Sequence, residues 1–232
     1  MNSPIQVCSL NKTYHSLLHP TVTALNDVSF TILQGETVAF LGPNGAGKTT
    51  AIKIILDLLR PDHGSVRIFD GDPEGRKRIG YLPENPSFYR FLTGFENLLS
   101  LARMVNPNIS LEKVDETLKL VGLYDAEDRP VKSYSRGMIQ RLGIAQAIIH
   151  DPDLLILDEP LSSLDPIGRR EMREILINMK KRGKTIFFST HILPDVDPLA
   201  DRVIVINKGK IVSDLSVDEI ANIEDHLIQI LK

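Results

Sequence analysis

Residues 42–50 read Gly-Pro-Asn-Gly-Ala-Gly-Lys-Thr-Thr, a complete match to G-x-x-x-x-G-K-[ST] from Gly42 to Thr49. The apolar run Val38-Ala39-Phe40-Leu41 before it reads as a strand, and Thr50–Leu59 after it reads as a helix. Glycines at 42, 45 and 47 allow the backbone to curl so that successive N–H groups face one point, and the helix start adds its positive end. Such a cradle holds phosphate oxygens. Gly42, Asn44, Gly45, Ala46, Gly47, Lys48, Thr49 and Thr50 are therefore the candidate nucleotide contacts. Lys48 is expected to reach the β- and γ-phosphates, and the Thr49 hydroxyl to ligate Mg²⁺. The competing reading is a glycine-rich turn that happens to precede a helix.

The rest of the chain sets this loop in an α/β layout. Ile5–Leu10, Ala24–Leu33 and Thr37–Leu41 read as strands, with Gln34-Gly35 as a turn. The strand Ser65–Phe69 follows a breaker cluster at 60–64, and Ile79–Leu82 ends at Pro83. From Thr93 the periodicity becomes helical. Leu98, Leu101, Ala102 and Val105 line one face, and Leu111, Val114, Leu118 and Val121 line another, with Ser110 as a cap. A third helix over 136–149 places Ile139, Leu142, Ala145, Gln146 and Ile149 near one side. A strand at Leu154–Leu157, a helix at Pro166–Lys181 capped by Asp165, and a strand at Thr185–Phe188 follow. Val203–Ile206 and Lys210–Ser213 form a hairpin across 207–209. We expect one domain over 1–232, with a helical insert at approximately 88–150 and a short tail over 218–232.

A second cluster of chemistry lies at Leu154-Leu155-Ile156-Leu157-Asp158-Glu159-Pro160. A buried strand delivers two acids to its C-terminal end, where open α/β sheets present their ligands. Asp158 is expected in the Mg²⁺ shell, and Glu159 to polarise an attacking water. The bland alternative is a pair of acids that cap the next turn. His191, one strand later, can donate to a γ-phosphate and orient water through its other nitrogen. Taken alone it could equally be a satisfied surface histidine.

Charge and composition exclude several classes. The formal net charge is −3, which argues against a general nucleic-acid binder. No apolar run is long enough to cross a bilayer, and Met1-Asn2-Ser3-Pro4 lacks a signal-peptide layout. A cytosolic location is expected. Cys8, the single cysteine, rules out an internal disulfide and is expected to be buried or half-buried in its strand.

Together these pieces resemble the nucleotide-binding subunit of ATP-binding-cassette (ABC) transporters, over nearly the whole chain from Tyr14 to about Ile211. The family's signature, typically Leu-Ser-Gly-Gly-Gln, is matched by Tyr134-Ser135-Arg136-Gly137-Met138, with Ser135 and Gly137 retained and Arg136 and Met138 departing from it. The resemblance implies an α/β fold: a P-loop NTPase core with a mixed sheet, an antiparallel β subdomain and a helical insert. It implies ATP hydrolysis with Mg²⁺, catalysed through Glu159, His191 and Lys48, with Thr49, Glu84 and Asp158 as metal ligands. Tyr14 matches the aromatic that stacks on adenine. Glu84 stands where the family usually has a glutamine, and Ser162-Ser163-Leu164-Asp165 matches a loop that crosses the dimer interface.

In the family, the signature closes over the γ-phosphate held by another subunit. One loop and one signature per chain therefore imply a homodimer, or a heterodimer with a second cassette. The other implied partner is a separate transmembrane permease, which would hold the chain on the inner face of the membrane. Its docking groove maps to Phe88, Tyr89 and Phe91, whose alternative is simple packing. The Glu84 form and the lead-in Ile79-Gly80-Tyr81-Leu82-Pro83 look like the exporter branch. Two alternatives compete: a cytosolic cassette of the translation or repair type, and a P-loop small-molecule kinase. The first usually carries paired cassettes or a long coiled coil, and the second needs a second-substrate pocket.

Overall fold

The computed structural model describes residues 3–15, 20–162 and 164–219. These form two compact units: residues up to Lys77 together with those from Thr185 onward, and Arg78–Lys184.

The first unit carries two sheets. β1 (Ile5–Tyr14) pairs antiparallel with β2 (Val22–Ile32) on one side and with β4 (His63–Ile68) on the other. β3 (Thr37–Leu41) pairs in parallel with β7 (Thr185–Thr190) and β8 (Arg202–Asn207), and β9 (Lys210–Ser216) closes antiparallel on β8. The second sheet is therefore mixed, as the fold class requires. β3 and β7 are buried at every position and read as continuous apolar or small residues, the signature of strands covered on both faces. Phe30 of β2, Phe40 of β3 and Phe187 of β7 meet with ring centroids 5.4–5.6 Å apart. Each such pair contributes roughly 0.5–1.5 kcal/mol beyond area burial. Arg202 pins the other end of β8. Its guanidinium donates to Asp214 of β9, to Glu36 before β3, and to the Thr31 carbonyl, and these partners hold its proton more firmly still than usual.

α1 (Lys48–Ile55) is shorter than the expected Thr50–Leu59. Asp57 turns into the left-handed region (φ 61°), and the N–H groups of Leu58 and Leu59 both return to the Lys53 carbonyl. The helix thus ends in a turn that normally uses glycine, and the sequence offers none there. The β8–β9 hairpin turns through Lys208 and Gly209, both at positive φ, as a two-residue loop matched to strand twist requires. Cys8 is exposed, contrary to expectation. On β1 it alternates with buried Val7, and Ser9 at φ 47° marks an irregular step that leaves both Cys8 and Ser9 outside.

The second unit holds all three expected helices of the insert, together with β5 (Ile79–Leu82), β6 (Leu154–Leu157) and α5 (Pro166–Lys181). β5 and β6 run parallel, with Leu82 opposite Leu157. α2 (Gly94–Val105) starts with a full capping box: Thr93 Oγ1 accepts from Glu96 N, and Thr93 N donates to the Glu96 carboxylate. α3 (Leu111–Leu120) is capped by Ser110, and α5 by Asp165, as expected. Leu98, Ala102, Val114, Leu118 and Val121 are buried as expected, but Val105 and Leu111 are exposed. Both lie at helix ends, where the apolar stripe runs past its neighbour. α4 (Arg136–Ile148) buries most of its length, with Gln146 on its exposed side rather than with the apolar residues.

Candidate functional site

β3 ends at Leu41, and residues 42–47 curl into α1. The loop is braced from two directions. Gly42 N donates to the Thr190 carbonyl at 3.2 Å, and Gly209 N of the hairpin donates to the Ala46 carbonyl at 3.0 Å. Gly47 sits at φ 111°, and a β-carbon there would lie 2.3 Å from the Ala24 carbonyl oxygen. Only glycine fits against β2 at that point. Lys48 is buried, and its ammonium folds back over the loop, donating to the carbonyls of Gly42 at 2.7 Å and Pro43 at 3.2 Å. The charge is therefore held at the loop, against its own carbonyls. Asn44 and Gly45 are exposed at the tip, while Thr49 and Thr50 are half-buried at the helix start.

Two further sequence-predicted residues join this loop within the first unit. Tyr14, at the end of β1, is 43% exposed and brings its hydroxyl to 3.4 Å from Thr50 Oγ1. An exposed ring beside the loop offers a face for stacking a base. Leu41 lies opposite Thr190 in the β3–β7 register, so His191 follows the strand position next to the loop's first residue. His191 is exposed there.

The second unit holds the other candidates. β6 delivers Asp158 and Glu159, both buried. Asp158 N donates to the Leu82 carbonyl at 2.8 Å, which fixes the β6 end against the β5 end. Glu84, two residues past β5, is exposed. Glu159 has φ 51°, in the left-handed region, so the chain turns sharply between the two acids. The Glu159 carbonyl accepts from the Ser162 hydroxyl at 3.0 Å. Half-buried Tyr81 has its phenol pushed up to about 12, first by desolvation and then by the Asp158 charge.

Ser135 caps α4, accepting from Met138 N at 3.2 Å. Ser135 and Arg136 are exposed and Gly137 is half-buried. A groove of about 880 Å³ opens beside them, lined by Arg136, Gly137 and Met138 on one side and by Asp165, Gly168 and Glu171 of α5 on the other. Arg141 spans the groove floor, donating to the Val121 carbonyl and to Glu171. Ser163 lies outside the described residues.

Two buried polar side chains here were not singled out from sequence. Asn97 of α2 is fully buried; its amide nitrogen donates to the carbonyls of Tyr89, Leu92 and Thr93, and its oxygen accepts from Tyr89 N. It thereby moulds the loop that leaves Tyr89 66% and Phe91 84% exposed, with Phe88 half-buried. Gln140 of α4 is the other, bonded to Pro160. A polar residue at a core-facing helical position is the signal that could have found both.

The ABC transporter profile matches residues 25–162. The chain is 43% identical over 227 residues to the ABC transporter ATP-binding protein all4389 of Nostoc, covering 94% of this chain and 68% of that one. It is 40% identical to the bacitracin transport ATP-binding protein BcrA of Bacillus licheniformis, over 95% of this chain and 72% of that one. The lantibiotic transport ATP-binding protein SrtF of Streptococcus pyogenes is also 40% identical, over 95% and 94% of the two chains. Among solved structures, an ATP-binding subunit of an ABC transporter superposes with a TM-score of 0.85 at 30% identity, covering 98% and 99%. The ATP-binding cassette MJ0796, solved as a dimer in a post-hydrolysis state with ADP and Pi, gives 0.82 at 25% identity, over 92% and 98%. The chain belongs to the ABC transporter family, and it is an ATP-binding, ATP-hydrolysing cassette of the transport type.

Proposed function

We propose that this cassette hydrolyses Mg-ATP held on residues 42–50 and passes the work to a separate membrane permease, on the exporter branch. The observation that carries the reading is Lys48, buried and bent over the carbonyls of Gly42 and Pro43 at the mouth of an α/β loop. Tyr14 stacks on the adenine. Glu159 accepts a proton from, or orients, the attacking water, and His191 donates to the γ-phosphate. Thr49, Asp158 and Glu84 are all hard oxygen donors, the chemistry that Mg²⁺ prefers. When bound there, the ion would neutralise charge on the β- and γ-phosphate oxygens.

Ser135 and the α4 N-terminus, with Gly137, receive the γ-phosphate of a nucleotide carried by a second cassette. The adjacent groove leaves that helix end open to an approaching partner. Pairing with a second copy or with a different cassette both satisfy this geometry. Tyr89 and Phe91, exposed on a rigidly bonded loop, are the surface for the permease. No helix among the described residues is long and apolar enough to cross a membrane, and the reading places the chain in the cytoplasm, peripheral on the inner face. Nucleic acid has no role in it.

Glu159→Gln tests this reading. The amide keeps the carboxylate's shape but cannot take a proton, so turnover should fall by roughly 10²–10⁴-fold with nucleotide binding retained. Trapped ATP should then hold two chains together. Light scattering on a sizing column, with and without Mg-ATP, reads the dimer. Unchanged turnover refutes the role of Glu159, and a strictly monomeric variant at high concentration refutes self-pairing.

A further inference from the structure

Gln140 lies on α4 five residues beyond the Ser135 cap, about 7.5 Å along the helix axis. Its side chain is 2% exposed. A primary amide is costly to bury without a partner, and here Nε2 donates to the carbonyl oxygen of Pro160 at 3.2 Å. Pro160 has no N–H, so that carbonyl is its only backbone hydrogen-bonding group.

The residue before Pro160 is Glu159, at φ 51°. A side-chain-bearing residue is strained in the left-handed region, and a following proline crowds it further. Such a conformation persists only where the surroundings over-determine it. Several bonds do so here. The Glu159 carbonyl accepts from the N–H and hydroxyl of Ser162, Leu161 accepts from Arg169 Nε at 3.2 Å, and Pro160 accepts from Gln140. The Gln140 bond differs from the rest in origin: it comes from the helix that Ser135 begins. That helix is seated firmly, since a β-carbon on Gly143 would come within 2.5 Å of Leu82 on β5, the strand paired with β6.

We propose that Gln140 is a positioning residue for hydrolysis. It fixes the Glu159–Pro160 turn to the helix capped by Ser135, so that phosphate capture at Ser135 sets the Glu159 carboxylate of the same chain. The inference rests on the reading above, in which Ser135 meets the partner's nucleotide and Glu159 acts on water. It accounts for a buried amide that a purely apolar contact between α4 and the turn would not need.

The test uses the full chain with Gln140→Met, which keeps length and removes the donor, and Gln140→Glu, which can donate only when protonated. With Gln140→Met, kcat should fall by about 10–100-fold, the scale of a roughly 1 Å misplacement. KM and the ATP-dependent dimer in a Glu159→Gln background should stay within about twofold. With Gln140→Glu, activity relative to wild type should rise between about pH 8 and about pH 6, as a buried carboxyl takes up its proton, while the ratio for Gln140→Met stays flat. A kcat within twofold of wild type, loss of nucleotide binding, or two flat pH ratios would each overturn the proposal. A wild-type chain that binds ATP without turning it over would instead overturn the reading on which it rests.

Discussion

Replacing Gly47 by alanine probes the phosphate loop through geometry alone, because it adds one methyl group and no charge. The new β-carbon would lie 2.3 Å from the Ala24 carbonyl oxygen and 3.0 Å from Leu25 Cδ2. Ordinary contact begins near 3.4 Å, so about 1 Å of separation must be found. β2 is held there and has little room to supply it: Leu25 pairs with Lys12 of β1, and Asn26 N donates to the Gly209 carbonyl at 2.8 Å. The loop must move instead. The left-handed backbone costs roughly 1–2 kcal/mol for a residue with a β-carbon, and the overpacking adds about 1–3 kcal/mol.

Movement of the loop carries Lys48 with it, since Lys48 is the next residue. If the lysine and one backbone N–H lose their phosphate bonds, at about 1.5–3 kcal/mol each, affinity falls by roughly 10²–10⁴-fold. Gly45→Ala is the matched control. It also sits at positive φ (80°), but a β-carbon there meets nothing within 4 Å. It should lose only the conformational contribution, about 1–2 kcal/mol, and at most about 30-fold in affinity. Titration with a fluorescent ATP analogue and thermal denaturation read the two effects separately. Gly47→Ala binding within threefold of wild type, or no weaker than Gly45→Ala, would refute the reasoning.

Two further outcomes are expected. Ser135→Ala should lower steady-state ATPase more than the joint change Arg136→Gly with Met138→Gln, because in the proposed reading the serine and the helix start carry the phosphate contact; the reverse ranking would make the departures from the usual signature functional. Glu127→Gln should raise Tm at neutral pH. Desolvation first, and then the Asp115 and Asp128 charges, push the Glu127 carboxyl up, and its Oε2 is buried without a hydrogen bond. The folded state therefore penalises the ionised form. That penalty is full above the raised pKa and shrinks as pH falls, so the gain should vanish well below the ordinary 4.5. A gain that persists in acid would assign it to packing instead.

The parts of the site that were legible in the sequence are those written in contiguous residues. The phosphate loop, the acidic strand end, the Asp165 and Ser110 caps and the hairpin each carry their own local code, and each lies where that code puts it. The capping box of α2 was equally readable in Thr93-Gly94-Phe95-Glu96. Gln140 and Asn97 showed only their core-facing helical positions, a weak sign, because a polar residue on a helix is usually a solvated one and their partners are backbone carbonyls set by tertiary packing. The bond from Gln140 crosses 20 residues of chain. The left-handed turn at Glu159 was hidden for a related reason: glutamate before proline gives no local sign of positive φ. The exposure of Cys8 depended on a strand irregularity that strict alternation does not encode.

The exposed aromatics show why such tertiary bonds bear on function. A slack loop would bury Tyr89 and Phe91 against the nearest apolar surface, since exposure of two rings is unfavourable. Here the loop has no freedom to do so. Asn97 holds it from α2 at residues 89, 92 and 93. From the other side, Val131 N donates to the Leu92 carbonyl at 2.9 Å and Lys132 N to the Arg90 carbonyl at 2.8 Å. Lys132 also places its ammonium 5.5 Å from the Phe91 ring centre. Rings held out in advance bind without a further ordering cost, which is what the proposed permease surface requires. The same segment that clamps them, residues 130–134, runs directly into Ser135. Tyr134 closes it off, with its hydroxyl donating to the Ala126 carbonyl at 2.7 Å and lying where a β-carbon on Gly94 would go. Force applied at Phe91 thus has a bonded route to the cap of α4 and, through Gln140, to the turn that carries Glu159.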